Sequence, residues 1–259
     1  MILDEILVHK RAEVSERKAR RPLLQLPDGF AHPSQFEESL RQPGVSFIAE
    51  IKRKSPSGGE LRPGASASEL ARMYARSGAA AVSVLTDERY FGGSDDDLVQ
   101  ARQAGGLPAL RKDFVVDAYQ IYEARALGAD AVLLIARALS AAELTSLLTL
   151  THQLGIDALV ETHSAPEVDR ALDAGARIIG VNNRDLDTLM TDVTLAPRLR
   201  PTVPPERLFV AESGIAQPDD VRALADAGVD AVLIGESLLR AKDPGAKLRS
   251  LVAAGLVHA

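Results

Sequence analysis

The chain has 259 residues, of which 46% are hydrophobic and 25% charged, and its formal net charge is −6. This length and composition fit a single globular domain with a sizeable core. The absence of cysteine excludes disulfides, thiolate metal sites and a cysteine nucleophile. The acidic balance argues against nucleic-acid binding, and no apolar run is long enough for a signal peptide or a membrane span, so we expect a cytoplasmic protein without a membrane partner.

The first 20 or so residues predict an amphipathic helix. Its apolar residues recur at roughly helical spacing, at Ile2, Leu3, Ile6, Leu7 and Val14. We interpret the basic residues between and beyond them as a solvated face, with a nucleic-acid arm as the alternative. These basic residues are Lys10, Arg11, Arg17, Lys18, Arg20 and Arg21. Residues 22–45 are rich in proline and glycine and predict a connector with room for one short helix, so residues 1–45 form a helical extension packed on the next domain.

From residue 46 to residue 259, short apolar runs alternate with helical patterns. The runs are rich in Val, Ile, Leu and Ala without strict alternation, as in parallel strands buried on both faces. The eight runs are Ser46–Ile51, Ala80–Leu85, Pro108–Leu110, Ala131–Ile135, Ala158–Val160, Ile178–Val181, Leu208–Ala211 and Ala231–Ile234. The helical patterns include Ser68–Ser77, Ala118–Leu127, Ala141–Leu154 and Pro218–Ala227. This order predicts an α/β protein with a single (β/α)8 TIM barrel.

A weak internal repeat favours a closed ring of strands. A glycine closes a helix and precedes a strand at Gly78, Gly128, Gly175 and Gly228, as expected for a helix C-cap. The intervals are roughly 50 residues, and each holds two strand–helix units. The alternative is an open doubly wound sheet, which normally carries a glycine-rich dinucleotide turn after its first strand, and the sequence has no such turn.

Polar residues follow the predicted strands, at the end where a β/α barrel carries its active site. Glu50 and Lys52 are two positions apart, so both point into the barrel, either as part of a site or as an ion pair that seals the barrel. Tyr90 and Phe91 lie in a glycine-ended loop and form either one wall of an apolar pocket or ordinary loop packing. The other exits contribute Arg111, Lys112, Asp113, Phe114, Glu161, Asn182, Arg184, Glu212, Ser213, Gly214, Gly235, Glu236 and Ser237.

The exits of the seventh and eighth strands predict a phosphate site. Small residues such as Gly214 and Gly235 can present backbone N–H groups to an anion there. A carboxylate repels phosphate, so we expect Glu236 to offer its N–H and turn its side chain away. Basic clusters at residues 52–54 and 111–112 supply local positive charge. The five histidines show no metal-ligand spacing, so we expect acid–base work by lysine and glutamate.

Four motifs at these exits form a recognisable set. They are FIAEIKRKSPSG at residues 47–58, LRKDF at 110–114, IGVNNRDL at 179–186 and AESGI at 211–215. Together they closely resemble the indole-3-glycerol phosphate synthase family of tryptophan biosynthesis, over essentially the whole chain. The resemblance implies a decarboxylating ring closure that converts 1-(2-carboxyphenylamino)-1-deoxyribulose 5-phosphate to indole-3-glycerol phosphate with loss of CO₂ and water. It implies no cofactor or metal.

The resemblance also implies catalytic roles. Lys112 would protonate the ketose oxygen, and Lys52 would bind the substrate carboxylate or act as an acid, so which lysine protonates which oxygen stays open. Glu50 and Glu161 would carry out the proton transfers of dehydration and rearomatisation, and Asn182 would orient the substrate. A lysine acid works best below its free pKa of about 10.4. Partial burial lowers the pKa of such a lysine, and neighbouring glutamates raise it.

The remaining implied positions bind the substrate. The phosphate would contact Ser213, Gly214, Gly235 and the backbone of Glu236, and Ser213 also belongs to the catalytic set. The first loop would be shaped by Ser55 and Pro56, and the anthranilate pocket would be lined by Phe91, Phe114 and Leu133. Arg184 would hold nearby carboxylates. The expected partner is therefore a small phosphorylated molecule, and the expected state is a monomer or weak homodimer.

Three other functions are weighed against this one. A Schiff-base aldolase would use Lys52 or Lys112 as a nucleophile. The neighbouring isomerase of the same pathway is also a phosphate-binding barrel, but its family works with a cysteine, which this chain lacks. The third alternative is a non-catalytic barrel that only binds a partner protein. Such a barrel would not need all the charged residues that follow the strands.

Overall fold

The computed structural model describes residues 2–27, 34–55, 58–62, 64–185 and 187–256. Eight parallel strands close into one barrel, in which each strand pairs with its neighbours in the chain and the first pairs with the last. They are β1 (Ser46–Ile51), β2 (Ala81–Leu85), β3 (Ala109–Lys112), β4 (Ala131–Ile135), β5 (Asp157–Thr162), β6 (Ile178–Asn182), β7 (Leu208–Glu212) and β8 (Ala231–Ile234). The predicted (β/α)8 TIM barrel is confirmed, and the open sheet is wrong.

Helices precede the barrel and connect its strands. They are α1 (Ile2–Arg20), α2 (Phe36–Leu40), α3 (Ala67–Arg76), α4 (Glu88–Phe91), α5 (Asp95–Gly105), α6 (Ala118–Leu127), α7 (Ala141–Gln153), α8 (Ala165–Asp173), α9 (Leu195–Leu199), α10 (Pro218–Asp226), α11 (Glu236–Leu239) and α12 (Pro244–Gly255). Short 3₁₀ turns cover Leu23–Gln25, Ala136–Ala138 and Arg200–Thr202, and Lys54–Ser55 pairs with Gly59–Glu60 in a small hairpin. No helix in these described ranges is long and apolar enough to cross a membrane.

Five strands begin or end one or two residues from the prediction, and two departures from the predicted elements have a clear physical reason. The third strand continues to Lys112, although its apolar run ends at Leu110, because strand pairing with β2 extends through the polar residues. The segment expected to be a loop after β2 contains a one-turn helix, α4. Its N-cap is Asp87, whose carboxylate accepts the Tyr90 N–H at 2.7 Å.

Alternate residues of the strands form two separate apolar layers. Outward residues such as Phe47, Val84 and Phe209 pack against the surrounding helices. Inward residues such as Ile48 and Leu159 fill the barrel interior. Most inward residues in the first half of the strands are apolar, apart from Ser46 and Asp157, which bond to α2, and charged residues follow at the carboxyl ends. A charged site therefore lies at one end of a packed core.

Helix α1 lies on the barrel through a face that contains Leu3, Ile6 and Val14. The prediction that all its basic residues are solvated is wrong for Lys10, whose side chain is only 1% exposed and pairs with carboxylates of the barrel. Arg17 is also partly covered and pairs with Glu123 at 2.9 Å. Apolar periodicity places the helix correctly, but it does not reveal that a lysine lies on the buried face. A domain boundary at residues 45 and 46 stays a prediction.

Candidate active site

A cavity of about 450 Å³ opens at the carboxyl ends of the strands. It brings together every described residue that was predicted for the site. These are Glu50, Lys52, Ser55, Phe91, Lys112, Phe114, Leu133, Glu161, Asn182, Arg184, Ser213, Gly214, Gly235 and Glu236. Pro56 lies outside the described residues. Apolar side chains of α1, namely Ile2, Leu3 and Ile6, also line the cavity, so α1 covers part of its opening.

Strand alternation explains why the candidate acids and bases face one another. Ile48 lies in the barrel interior, so Glu50, two residues later, points the same way. The same alternation turns Glu161 inward after Leu159, and it turns Glu212 inward after Val210. Sequence reasoning placed Glu212 at a strand exit but gave it no role. The inward position of Val210 was the signal that could have assigned it to the cavity.

Lys112 lies between two carboxylates at the centre of the cavity. Its ammonium nitrogen is 2.7 Å from Glu212 and 3.4 Å from Glu161. Burial alone would lower the pKa of Lys112, but the charges of Glu212, Glu161 and Glu50 outweigh burial and raise it. Lys112 is therefore held as a cation rather than a free amine, and the raised pKa departs from the lowered value that suits a lysine acid.

Lys52 and Glu50 form the second charged pair of the cavity. Their nitrogen and oxygen atoms are 2.6 Å apart, and both residues line the open cavity rather than sealing the barrel below it. Burial would raise the pKa of Glu50, but Lys52 and then Lys112 lower it. Glu50 is thus held as a carboxylate.

The buried cluster around Lys112 holds three glutamates, Glu50, Glu161 and Glu212, but only two lysines. Burial is the main reason that the pKa of Glu212 rises to about 7, and Lys112 opposes this rise while Glu161 reinforces it. One proton can therefore be shared in the cluster near neutral pH. A carboxyl group with a pKa near neutrality is suited to proton transfer.

The raised pKa of Glu212 predicts a pH-dependent stability. Its unfolded value is 4.5, so the stability associated with the protonated carboxyl is present below pH 4.5 and is lost as the pH rises through about 7. Glu212→Gln removes this ionisation. We expect the free energy of unfolding of the variant, relative to the wild type, to rise by about 1–3 kcal/mol between pH 5 and pH 8. Urea denaturation at both pH values measures this, and an unchanged difference would contradict the raised pKa.

His163 is a further neighbour that sequence reasoning left outside the site. Its ring nitrogens are 3.5 Å from Glu161 on one side and 3.5 Å from Glu167 of α8 on the other. Burial opposes a charge on the ring, but Glu167 and Glu161 raise the pKa of His163 above its ordinary value. A protonated His163 therefore stabilises the negative charge of Glu161.

An aromatic wall forms one side of the cavity. The ring centroids of Phe91 and Phe114 are 6.1 Å apart with a tilt of 37°. Leu133, on β4, is buried and also lines the cavity. The segment after β2 was expected to form either a pocket wall or ordinary loop packing. Phe91 lines the cavity, so it forms part of the pocket wall.

Small residues form the opposite side, after β7 and β8. Ser213 and Gly214 both have a left-handed backbone, with φ of 65° and 80°. The Asn183 amide donates to the Ser213 carbonyl at 3.0 Å, and the Ser237 hydroxyl donates to the Ile215 carbonyl at 2.8 Å. These bonds fix a loop in which a non-glycine residue adopts an uncommon conformation, a feature that often marks functional sites.

The side chain of Glu236 is occupied by two arginines. Its carboxylate accepts from Arg240 at 2.9 Å and pairs with Arg184 at 3.3 Å. Burial would raise the pKa of Glu236, but these arginines lower it. The charge expected to oppose an anion is thus paired with cations.

The predicted basic clusters contribute less to the cavity than their sequences indicate. Arg111 points outward, is fully buried, and pairs with Glu123 at 2.8 Å. Arg53 pairs with Asp97 at 2.7 Å, and Lys54 donates to the Arg89 carbonyl. Strand alternation separates Arg111 from Lys112, and the hairpin after β1 turns Lys54 away from Lys52, so each cluster gives one lysine to the cavity. Within the described ranges no group of three or more His, Cys, Asp or Glu is arranged to hold a metal.

Comparison with known proteins agrees with this geometry. Residues 3–251 match the sequence model of the family described as indole-3-glycerol phosphate synthase. The chain belongs to the indole-3-glycerol phosphate synthase family. Indole-3-glycerol phosphate synthase 2 of Streptomyces coelicolor is 52% identical over 97% of this chain and 98% of its own length. The synthase of Mycobacterium avium is 49% identical over 98% and 94%, respectively.

Members of this synthase family are decarboxylating lyases of tryptophan biosynthesis that act on a phosphorylated small molecule. Among solved structures, thiamine phosphate pyrophosphorylase from Pyrococcus furiosus is similar, with a TM-score of 0.62, 16% identity, and coverage of 83% of this chain and 96% of that chain. At this identity the likeness shows the barrel fold alone. The isomerase alternative is set aside by the family match.

Proposed function

We propose that the cavity carries out the ring closure of the synthase family, with Lys112 as the acid of the first step. The observation that carries this proposal is the position of Lys112, which is held as a cation between Glu161 and Glu212 and near an aromatic wall. The substrate has a carboxylated aromatic ring at one end, a phosphate at the other and a ketone between them. The cavity offers an apolar side for the ring and a loop of small residues for the phosphate. Lys112 is the proposed proton donor to the ketone between them.

The proposed reaction has three steps. In the first, the ring carbon that bears the carboxylate forms a bond to the ketose carbon, and the carbonyl oxygen takes a proton from Lys112 to become a hydroxyl. In the second, the bond to the carboxylate breaks, CO₂ leaves, and its electron pair restores the aromatic ring. In the third, the hydroxyl leaves as water after protonation, and a glutamate removes a proton from the neighbouring carbon to complete the indole.

The surrounding residues have distinct tasks in this proposal. Lys52 binds the substrate carboxylate until it leaves, and Glu50 and Glu161 exchange the protons of the third step. Glu212, absent from the sequence-based set, takes part because its carboxylate accepts a hydrogen bond from the Lys112 ammonium at 2.7 Å. Asn182 orients the substrate at the end of β6, where its side chain lines the cavity.

The phosphate is proposed to bind at the loops after β7 and β8. Backbone N–H groups of Gly214, Gly235 and Glu236, with the Ser213 hydroxyl, are the proposed donors. The pairing of Glu236 with Arg184 supports this placement, because it leaves the backbone of Glu236 available while its charge is compensated. Phe91, Phe114 and Leu133 are proposed to enclose the aromatic ring, and Ser55 shapes the first loop.

The aldolase alternative is disfavoured by the state of its nucleophile. A Schiff-base lysine requires a lowered pKa so that a neutral amine is present. The pKa of Lys112 is raised instead, by carboxylates at both sides. Borohydride in the presence of a ketose phosphate is therefore expected to leave both cavity lysines unmodified.

Turnover by the purified chain tests the proposal. The sequence has no tryptophan, so indole emission can be followed with little background. We expect emission to appear with release of one CO₂ per product on addition of the substrate, in buffer that contains a metal chelator. Absence of both signals at micromolar enzyme over hours would overturn the proposal. A cytoplasmic location and a monomeric or weakly dimeric state stay predictions.

A further inference from the structure

The buried ammonium group of Lys10 joins three elements that line the cavity. Its nitrogen lies 2.8 Å from Asp87, 2.9 Å from Asp113 and 3.0 Å from Glu13 of the same helix. Lys10, Asp87 and Asp113 are each at most 1% exposed in their side chains. We call these three residues the Lys10 cluster.

Each member of the Lys10 cluster belongs to a different part of the cavity wall. Lys10 lies on α1, which contributes Ile2 and Ile6 to the cavity. Asp87 caps α4, the short helix that ends with Phe91.

Asp113 connects the cluster to the end of β3. It follows Lys112 directly, and its carboxylate accepts the Phe114 N–H at 2.8 Å. Its other oxygen accepts the Thr86 hydroxyl at 2.6 Å, which links the exits of β2 and β3. Each phenylalanine of the aromatic wall is thus connected to a carboxylate that pairs with Lys10. Phe91 ends the helix that Asp87 caps, and Phe114 directly follows Asp113.

A purely stabilising role does not explain this arrangement well. Burial of charges costs free energy that their pairing often fails to recover, and apolar side chains of similar size are usually at least as stabilising. What a buried ion pair does provide is a fixed geometry between the groups that it joins. Burial opposes the charge of Lys10, yet Asp113 and Asp87 raise its pKa, so Lys10 is a cation in the folded chain.

We propose that Lys10 is a positioning residue, which sets the distance between α1 and the aromatic wall and thereby the affinity for the aromatic end of the substrate. The inference rests on the proposed function for the identity of that aromatic group. It requires no contact between Lys10 and the substrate, since Lys10 acts through α1, Phe91 and Phe114.

Lys10→Met tests the proposal, with Lys18→Met as the matched control. Lys18 is on the same helix and also pairs with the barrel, at 2.9 Å from Asp117, but it is 48% exposed and is not one of the residues that line the cavity. We expect Lys10→Met to raise KM by about tenfold or more and to lower kcat by about threefold at most. Lys18→Met should keep both constants within about twofold of the wild type.

Inhibition by glycerol 3-phosphate distinguishes a specific effect on the aromatic wall from a general loss of order in the whole cavity. This compound offers a phosphate without an aromatic ring, so its inhibition constant should stay within about twofold in Lys10→Met. An equal loss of affinity for glycerol 3-phosphate and for the substrate would overturn the proposal, as would a Lys10→Met variant that behaves like Lys18→Met.

A milder variant covers the case in which Lys10→Met does not fold. Asp87→Asn keeps an oxygen that can cap Tyr90 and replaces the oxygen that pairs with Lys10 by an amide NH2 group, which cannot accept from the ammonium. It should raise KM in the same direction, by about threefold or more, and an unchanged KM would contradict the proposal. Calorimetric titration with indole-3-glycerol phosphate, the product of the proposed reaction, reads the affinity for the aromatic end without turnover, so failure of the Lys10 cluster and failure of the proposed function are distinguishable.

Discussion

Lys112→Ala is expected to lower kcat by about 10²- to 10⁴-fold, the usual contribution of a positioned general acid. The substituted side chain cannot donate the proton that ring closure requires. Glu161 and Glu212 then face each other without a cation, and one of them takes up a proton, which prevents both from acting as bases. Substrate binding is expected to stay within about tenfold of the wild type, because the aromatic wall and the loops after β7 and β8 are unchanged.

Stopped-flow or steady-state indole emission measures the rate, and calorimetry measures binding. Lys242→Ala is the control, since Lys242 lies outside the cavity lining. A Lys112→Ala variant with near-native turnover would remove Lys112 from its role. Loss of binding together with turnover would instead assign Lys112 to substrate recognition.

Gly235→Ala is expected to lower kcat by about 10²-fold, although alanine adds a single methyl group. A Cβ atom at this position would lie 2.4 Å from the Glu50 carboxylate and 3.0 Å from the Glu50 Cβ. Glu50 cannot move freely, because it is buried and paired with Lys52 at 2.6 Å. The methyl group therefore displaces the pair and removes space at the loop proposed to bind phosphate.

The control for this variant is Gly155→Ala. Gly155 has a φ of +70°, and no atom of the described residues lies within 4 Å of the place that its added methyl group would take. Alanine there costs about 1 kcal/mol of backbone strain and leaves turnover unchanged. Comparison of kcat, KM and unfolding free energy for both variants separates the effect on Glu50 from a general loss of stability. Native kcat in Gly235→Ala would show that the position of Glu50 is not critical.

The barrel could be predicted from the sequence because its strands are apolar on both faces and its helices are amphipathic. Three strands, β1, β4 and β8, have the predicted boundaries. Errors occur where polar residues continue a strand, as at Lys112, because an apolar run is then shorter than the strand. Helix α4 was expected to be a loop, since one turn is too short to show a helical period.

Most of the cavity residues could be found by the resemblance and by strand alternation, but their partners could not. Lys10 is far from Asp87 and Asp113 in sequence, and a charge run at the N-terminus is usually solvated. Arg111 and Lys112 are adjacent, yet only the three-dimensional register shows that one is buried outside the barrel and the other faces the cavity. The ion pair of Lys112 and Glu212 has a distance of 2.7 Å between two side chains from different strands, which no local pattern encodes.

A crystal structure of the chain with bound indole-3-glycerol phosphate tests the central claim most directly, because it orients the ligand in the cavity. We predict the phosphate within hydrogen-bond distance of the Gly214 and Gly235 N–H groups, the indole ring against Phe91 and Phe114, and Lys112 nearest the carbon atoms that closed the ring. A ligand bound in the opposite direction, with its phosphate at Lys52 and its ring at the loops after β7 and β8, would contradict the account.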